Sequence, residues 1–296
     1  MEKILFLGAG SGKDPGFDDI TIGEVPFKDF MKEKGITVMD NIVESCHGCP
    51  DIVEDYSEQT QDLVEEGYQV VAVLQGGLYF ALPSIQATQV TYPIISSPLD
   101  TIAFQGFMVP SGHAAIAGVG IERKVDGTLE QEQRAKALTV AERILNLPNS
   151  DVQVIGNPYY IDELCEELDN LGINVSTEDN SASLVLMYGT YAGHIYNNTN
   201  YADTNANKIL IRADDDDTIP YHLYLKAAEE RHRSKEFNIV PTAQVKGLKN
   251  LAIYAAKILS LQRPELRENI ERIADKKYSS YQKRNLIDEI KSRRVE

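Results

Sequence analysis

A short apolar run, Val70 to Leu74, followed closely by the glycine pair Gly76-Gly77, constrains the fold of this chain more than any other stretch. The run is too short for a buried helix and is rich in β-branched residues, so it predicts a fully buried strand of a parallel sheet. Glycines after such a strand let backbone N–H groups approach a ligand, and α/β proteins bind ligands at the carboxyl ends of their strands. A second apolar strand, Pro93 to Ile95, follows about one helix later. The stretch therefore predicts an α/β fold with a ligand site at these strand ends.

Composition limits the function classes. The chain has 29 basic and 45 acidic residues, a net charge of −16, which repels a phosphate backbone, so we expect no nucleic-acid partner. No apolar run approaches membrane-spanning length, and Met1 to Leu5 begins a strand without a signal-peptide pattern. Three cysteines do not indicate a disulfide framework. These features predict a cytoplasmic protein with no membrane partner.

The order of the predicted elements starts again after Pro148. The matching order over six elements predicts two tandem α/β units, residues 1–148 and 149–296, the second ending in a charged helical tail. The matched strands are Lys3–Gly8 with Val152–Gly156, Ile36–Val38 with Ile173–Val175, Val70–Gly76 with Leu184–Gly189, and Pro93–Ile95 with Lys208–Ile211; the helix at Arg134–Leu147 matches Gly247–Leu261.

The cluster Cys46-His47-Gly48-Cys49 follows a predicted strand and precedes a helix that Asp51 is expected to cap. Its cysteines have a spacing that suits zinc or a redox pair, although a zinc site needs two further ligands. The alternative is that the cysteines only fill space beside a loop. His47 lies beside a helix N-terminus that disfavours its protonated form, so it is a candidate acid/base group near pH 7.

A second polar turn, Gly10 to Asp14, follows the first strand. It lacks the spacing of a P-loop, but its glycines, the Ser11 hydroxyl and the Lys13 ammonium suit a phosphate; an ordinary surface turn is the alternative. His194 lies in a loop after a strand of the second unit, where a histidine is more often a bystander. The carboxylates Asp214–Asp217 favour a solvated acidic loop over a cation site.

These stretches resemble, in the same order along the chain, the motifs of the aminoimidazole ribonucleotide carboxylase / N5-carboxyaminoimidazole ribonucleotide mutase (PurE-like) family of purine biosynthesis. The resemblance covers most of residues 1–121 and again 247–275. The stretches that carry it are Gly10–Asp14, Ser45–Asp51, Gly76-Gly77 with Leu82–Ile85, Tyr92–Pro98, Val109–His113 and the helix Asn250–Leu259.

The resemblance implies a three-layer flavodoxin-like parallel sheet in each tandem copy and a homo-oligomer. It implies carboxylate transfer on a ribonucleotide with carbon dioxide or bicarbonate, and neither a metal nor an organic cofactor. The family's acid/base histidine falls on His47. Its substrate contacts fall on Ser11, Asp14, Ser45, the backbone at Gly76 and Gly77, and the loop with Ser111 and Gly112.

The chain also departs from the family. Gly48 stands where the family has a phosphate-binding arginine, so phosphate affinity is expected to be weaker unless Lys13 substitutes. Ala81 stands where the glycine loop carries a histidine, and His194 takes the corresponding place in the second copy. We hypothesise that His47 and His194 meet at a shared interface. A related enzyme on another heteroaromatic carboxylate and a non-catalytic ligand-binding or scaffold protein are the alternatives.

Overall fold

The computed structural model describes residues 1–12, 14–76, 81–98, 117–118, 127–156, 158–176, 182–189, 209–214, 239–241 and 248–280. Within these ranges the chain is an α/β protein with two five-stranded sheets, a two-stranded ribbon and seven helices. The strands are β1 (Lys3–Ala9), β2 (Thr21–Ile22), β3 (Val25–Pro26), β4 (Ile36–Val43), β5 (Gln69–Gly76), β6 (Ile94–Pro98), β7 (Ala117–Gly118), β8 (Val152–Gly156), β9 (Val175–Ser176), β10 (Leu184–Gly189), β11 (Ile209–Asp214) and β12 (Ile239–Pro241). The helices are α1 (Phe27–Glu33), α2 (Pro50–Glu65), α3 (Ala81–Ala87), α4 (Gly127–Leu145), α5 (Pro158–Asn170), α6 (Leu248–Leu259) and α7 (Leu266–Ser280).

The first sheet has the strand order β4-β1-β5-β6-β7, and all its neighbours are parallel. Numbered along the chain, this order is 2-1-3-4-5, that of flavodoxin-like proteins. Residues Val70 to Leu74 are fully buried, as expected for a strand covered on both faces. Alternate residues of the central strands enter two different clusters: Leu5 and Val71 pack on the side of α1 and α4, and Phe6 and Leu74 on the side of α2 and α3.

The second sheet has the order β12-β11-β10-β8-β9 and is also parallel throughout. Read from its other edge and numbered along the chain, it too is 2-1-3-4-5. Its register matches that of the first sheet at the ends of the third strands. Gly76 lies opposite Pro98 at the end of β6, and Gly189 lies opposite Asp214 at the end of β11. The α/β class predicted from the sequence is confirmed.

Helix α6 lies between the two sheets and joins them. Every residue of α6 except Lys249 is buried, whereas the sequence predicted an amphipathic helix with one solvated face. The reason is that α6 packs on β10 and β11 and also reaches the first sheet. The Tyr254 hydroxyl donates to the Ile94 carbonyl at 3.1 Å, and Lys257 Nζ donates to the Ala87 carbonyl at the end of α3 at 2.6 Å. A single hydrophobic cluster consequently includes residues of both sheets.

The charged tail packs within the same chain. Its helix α7 buries Leu266 and Ile270, and the Arg267 guanidinium donates to the Val64 carbonyl at the end of α2 at 2.8 Å. Asn269 Nδ2 donates to the Leu171 carbonyl at 2.9 Å, just after α5. The sequence predicts that this tail packs on a neighbouring subunit or on the other half, and in the described residues it contacts both halves of its own chain. Residues 281–296 lie outside the described ranges.

Two helix ends test the local sequence signals. The sequence predicts a helix over Phe27–Lys34 that ends at Gly35, and Gly35 has φ of +70° and donates its N–H to the Lys32 carbonyl at 3.0 Å. The prediction that Asp51 caps α2 is wrong, because the helix begins at Pro50 with Cys49 at the N-cap position and no side-chain capping bond. Proline is preferred at the first helical position, since its missing N–H is not needed there, and Asp51 falls in the first turn.

None of the helices in the described ranges has the length and apolar character needed to cross a bilayer.

Candidate functional site

The predicted site residues that the structure describes follow or end three neighbouring strands. Ser11 and Asp14 follow β1, Ser45 and His47 follow β4, and Gly76 ends β5. These strands are adjacent in the order β4-β1-β5, so the five residues lie at one edge of the first sheet. From β1 the sheet grows first toward β4 on one side and then toward β5 on the other. The point between β1 and β5 is therefore the topological switch point, where open α/β sheets bind ligands.

The turn after β1 is held by its own backbone. The Asp14 N–H donates to the Ser11 carbonyl at 3.0 Å, and the Asp14 carboxylate accepts hydrogen bonds from the backbone N–H groups of Ser11 and Gly10. Burial raises the pKa of Asp14, and these two backbone hydrogen bonds oppose that rise. Beyond the turn, Phe17 and Ile20 are buried in the core and fix its outgoing end. Asp14 is thus a fixed acceptor for a ligand hydroxyl or amine.

The turn after β4 lies directly against β1. The Glu44 N–H donates to the Ala9 carbonyl at 2.7 Å, which extends the pairing of β1 and β4 by one residue. The Gly48 N–H then donates to Ser45 Oγ at 3.1 Å, and the Cys49 N–H to the Ser45 carbonyl at 2.8 Å. A Cβ on Gly48 would lie 2.9 Å from Ser45 Oγ. An arginine in place of Gly48 would therefore require the Ser45 side chain to move.

His47 is exposed and contacts the half-buried Cys46. Cys46 Sγ lies 3.4 Å from His47 Nδ1. Burial, and then the nearby Glu44 carboxylate, raise the pKa of the Cys46 thiol, so the thiol keeps its proton near pH 7. The sulfur occupies the Nδ1 side of the ring whichever of the two groups donates. This arrangement leaves Nε2 as the nitrogen of His47 available to a ligand.

Neither a disulfide nor a metal cluster forms around the cysteines. Cys46 and Cys49 are free thiols, and within the described ranges no three His, Cys, Asp or Glu side chains come together as they would to hold a metal ion. The raised pKa of Cys46 also makes it a poor thiolate nucleophile. The geometry therefore favours a positioning role for Cys46 beside His47.

Glu44 is the feature that sequence reasoning missed. Its side chain is fully buried, and its carboxyl group lies over Gly8 against Leu74. A Cβ on Gly8 would lie 2.6 Å from Glu44 Oε1, so the glycine makes room for the carboxyl group. Burial raises the pKa of Glu44 to about 8, so at pH 7 it is mainly a neutral acid. The available signal was its place directly after β4, two residues beyond the partly buried Ile42 and beside the strand that carries Gly8.

Three more buried polar side chains share this level of the sheet: Gln75, Ser96 and Ser97. We call Glu44 with these three the buried polar layer. Gln75 is the register partner of Ser97, and Ser96 that of Leu74. Six side-chain atoms of the layer have no hydrogen-bond partner among the described residues: both Glu44 oxygens, both Gln75 amide atoms and the two serine hydroxyls. An unpartnered buried polar group costs roughly 1–3 kcal/mol, so such a concentration points to a role other than folding.

Several predicted site residues lie outside the described ranges. These are Lys13, Gly77, Ser111, Gly112 and His194. Two predictions therefore stay untested: that Lys13 binds phosphate in place of the family's arginine, and that His47 and His194 meet at a shared interface.

Comparison of the chain with protein-family models and with curated proteins finds no match. The likeness to the aminoimidazole ribonucleotide carboxylase/mutase family thus rests on the motifs and on the strand ends at which they lie. Those strand ends are what supports a functional proposal.

Proposed function

We propose that this protein is a carboxylase or mutase that acts on an aminoimidazole ribonucleotide in purine biosynthesis, with His47 as the acid/base group and no metal. The observation that carries the proposal is the convergence of Ser11, Asp14, Ser45 and His47 on adjacent strand ends of a 2-1-3-4-5 sheet. The switch point of such a sheet is the place where α/β proteins bind their ligands, and these four residues offer the hydroxyl, carboxylate and imidazole groups that the reaction needs.

His47 would move one proton in each direction. In the mutase reaction the bond between the substrate nitrogen and its carboxyl carbon breaks, carbon dioxide is released, and the nitrogen takes a proton from the protonated His47 ring, which becomes neutral. The nucleophilic ring carbon then attacks carbon dioxide and forms the new carbon–carbon bond. The neutral His47 ring removes the proton that this ring carbon still carries, so the histidine ends as it began. If the carboxyl group comes from bicarbonate, which loses hydroxide to become carbon dioxide, His47 performs only the second proton transfer.

The other groups would hold the substrate. The turns with Ser11 and Ser45 offer hydroxyl and backbone N–H groups to the phosphate and ribose, and Asp14 offers an acceptor to a ribose hydroxyl. The Cys46 sulfur, 3.4 Å from Nδ1, would position the His47 ring so that Nε2 faces the substrate. Backbone at the end of β5 would exclude water from released carbon dioxide.

We propose further that residues 1–148 and 149–296 are two tandem copies of one flavodoxin-like unit. The identical strand order of the two sheets and the equivalent places of Gly76 and Gly189 support the duplication. A cytoplasmic homo-oligomer, as the family resemblance and composition suggest, belongs to the same proposal.

A related activity on another heteroaromatic carboxylate is the second candidate. It is favoured by Gly48, whose missing side chain leaves the space to Ser45 Oγ, and by the acid Glu44 at the strand ends. Both features change the surroundings of the substrate and leave the acid/base histidine in place. A non-catalytic ligand-binding or scaffold role is an outcome of the same experiment.

The test is ultraviolet-monitored conversion of the aminoimidazole ribonucleotide, supplied either N-carboxylated or with bicarbonate. We expect turnover by the wild type and a loss of about 100-fold or more in kcat for His47→Asn, the usual contribution of a general acid/base. Cys49→Ser is the matched control, because Cys49 is exposed in the same turn. If the wild type neither converts nor binds the ribonucleotide, the proposal is wrong. Full activity of His47→Asn would remove His47 from the mechanism.

A further inference from the structure

The buried polar layer has no use in the proton transfers assigned to His47. Its members nevertheless lie next to the candidate site, because Glu44 immediately precedes Ser45 and Gln75 immediately precedes Gly76. All four side chains are fully buried. Their free hydrogen-bonding atoms therefore lie at the strand ends that carry the candidate site.

Two places of the layer have described counterparts in the second sheet that are not polar in the same way. Counted back from Gly189 as Gln75 is from Gly76, the residue is Tyr188, whose buried ring packs edge-to-face on Tyr160 at 5.4 Å. The register partner of Tyr188 is Ala213, where the first sheet has Ser97. The pair Gln75 and Ser97 is thus replaced by a tyrosine and an alanine in the second sheet.

We propose that the protonated carboxyl group of Glu44 is the part of the site that binds the uncharged amino-substituted heterocycle of the substrate; this inference rests on the proposed function. A neutral carboxylic acid offers a donor and an acceptor side by side. A ring nitrogen with a neighbouring amino or carboxamide group presents the complementary pair. A phosphate or carboxylate would be repelled whenever Glu44 ionised, so the charged end of the substrate lies toward the Ser11 and Ser45 turns.

The surroundings of Glu44 allow its protonation to be read cleanly. The ionisable side chains coupled to its charge are Cys46 and Tyr92, and Asp14 lies across Gly10 from its backbone carbonyl. Burial raises the pKa of both Cys46 and Tyr92, so both stay protonated through the range in which Glu44 titrates. Burial is the sole cause of the shift at Glu44, and no basic group in the described ranges contributes to it. A change in ligand affinity around pH 8 that disappears with Glu44 therefore reports on this carboxyl group.

The experiment measures binding of the aminoimidazole ribonucleotide and of ribose 5-phosphate, which lacks the heterocycle, by calorimetry at pH 7 and pH 9. The proteins are the wild type, Glu44→Gln, Glu44→Ala and the control Glu54→Gln, an exposed carboxylate on α2. Since the ligand selects the protonated form and the pKa is about 8, the wild-type Kd for the ribonucleotide is expected to rise about tenfold between the two pH values. Glu44→Gln keeps a donor and an acceptor and is expected to lose this rise.

Glu44→Ala is expected to bind the ribonucleotide at least tenfold more weakly at pH 7 while binding ribose 5-phosphate as the wild type does. Glu54→Gln is expected to follow the wild type with both ligands. Equal pH dependence in the wild type and Glu44→Gln, with the ribonucleotide bound by both, would overturn this inference and leave the proposed function standing. Failure of the wild type to bind the ribonucleotide would overturn both. Circular dichroism of each variant at both pH values establishes that weak binding is not loss of fold.

Discussion

The free energy of unfolding is expected to fall as the pH rises from 5.5 to 7.5 because of Glu44, and Glu44→Gln is expected to remove this dependence. The carboxyl group is fully buried over Gly8 and has no hydrogen-bond partner among the described residues. Its pKa is about 8 in the folded protein against 4.5 in an unfolded chain. Between those values the folded state binds the proton that the unfolded state has released.

The sign and size follow from proton linkage. Because the folded pKa is raised, the stabilisation by this proton is fully present below pH 4.5 and is lost as the pH rises through 8. Each pH unit inside the window costs up to about 1.4 kcal/mol, so the two units from 5.5 to 7.5 cost about 2.5 kcal/mol after the curvature near pH 8. Glutamine has nearly the size of the protonated acid and does not titrate.

The assay is urea unfolding of the wild type and Glu44→Gln at pH 5.5, 6.5 and 7.5, with Glu54→Gln as control. The difference in unfolding free energy between the wild type and Glu44→Gln is expected to change by about 2.5 kcal/mol in favour of the glutamine as the pH rises. Taking this difference cancels every other titrating group. A difference that stays constant over the three pH values would refute the buried, protonated state of Glu44.

Three further predictions concern neighbouring contacts. Gly8→Ala is expected to destabilise the protein by about 1–3 kcal/mol in urea unfolding, because its Cβ would lie 2.6 Å from Glu44 Oε1 and 2.7 Å from Leu74 Cδ2. Gly12→Ala is the control, because Gly12 has open space around it. Equal losses of unfolding free energy in the two variants would contradict the packing of Glu44 over Gly8. Cys46→Ala is expected to shift the 15N resonance of His47 Nδ1, because it removes the contact at 3.4 Å, while Cys46→Ser keeps a polar partner there. Identical spectra of the wild type and Cys46→Ala would exclude the thiol contact. Burial lowers the pKa of Lys257 from 10.5 to about 7, so between these values the unfolded chain holds a proton that the folded protein has released. The free energy of unfolding is therefore expected to rise by about 2.5 kcal/mol between pH 7.5 and 9.5, and Lys257→Met is expected to lose this rise. A wild type and Lys257→Met with parallel pH profiles would show that this lysine is not the titrating group.

The elements of the sheets could be predicted because their signals are local. Val70 to Leu74 is apolar on both faces and short, and Gly35 ends a helix through its positive φ. The same holds for the strand ends at Ser11 and Ser45, since polar residues directly after a buried strand lie at a sheet edge in any α/β order.

The features that escaped prediction depend on packing between distant segments. Glu44 looks like one more polar residue of a loop, and its burial requires the missing side chain of Gly8 on the next strand. Helix α6 carries a sequence with one polar edge, yet Lys257 is buried because α3 supplies the Ala87 carbonyl from 170 residues away. Neither partner can be read from the local pattern, because each comes from another part of the chain.

The most direct test of the account is a crystal structure of the protein with the aminoimidazole ribonucleotide soaked in. The ribonucleotide is expected in the cleft bounded by Ser11, His47 and Gly76, with its ring within hydrogen-bond reach of His47 Nε2. A ribonucleotide bound away from these strand ends, or no bound ribonucleotide at saturating concentration, would contradict the central claim.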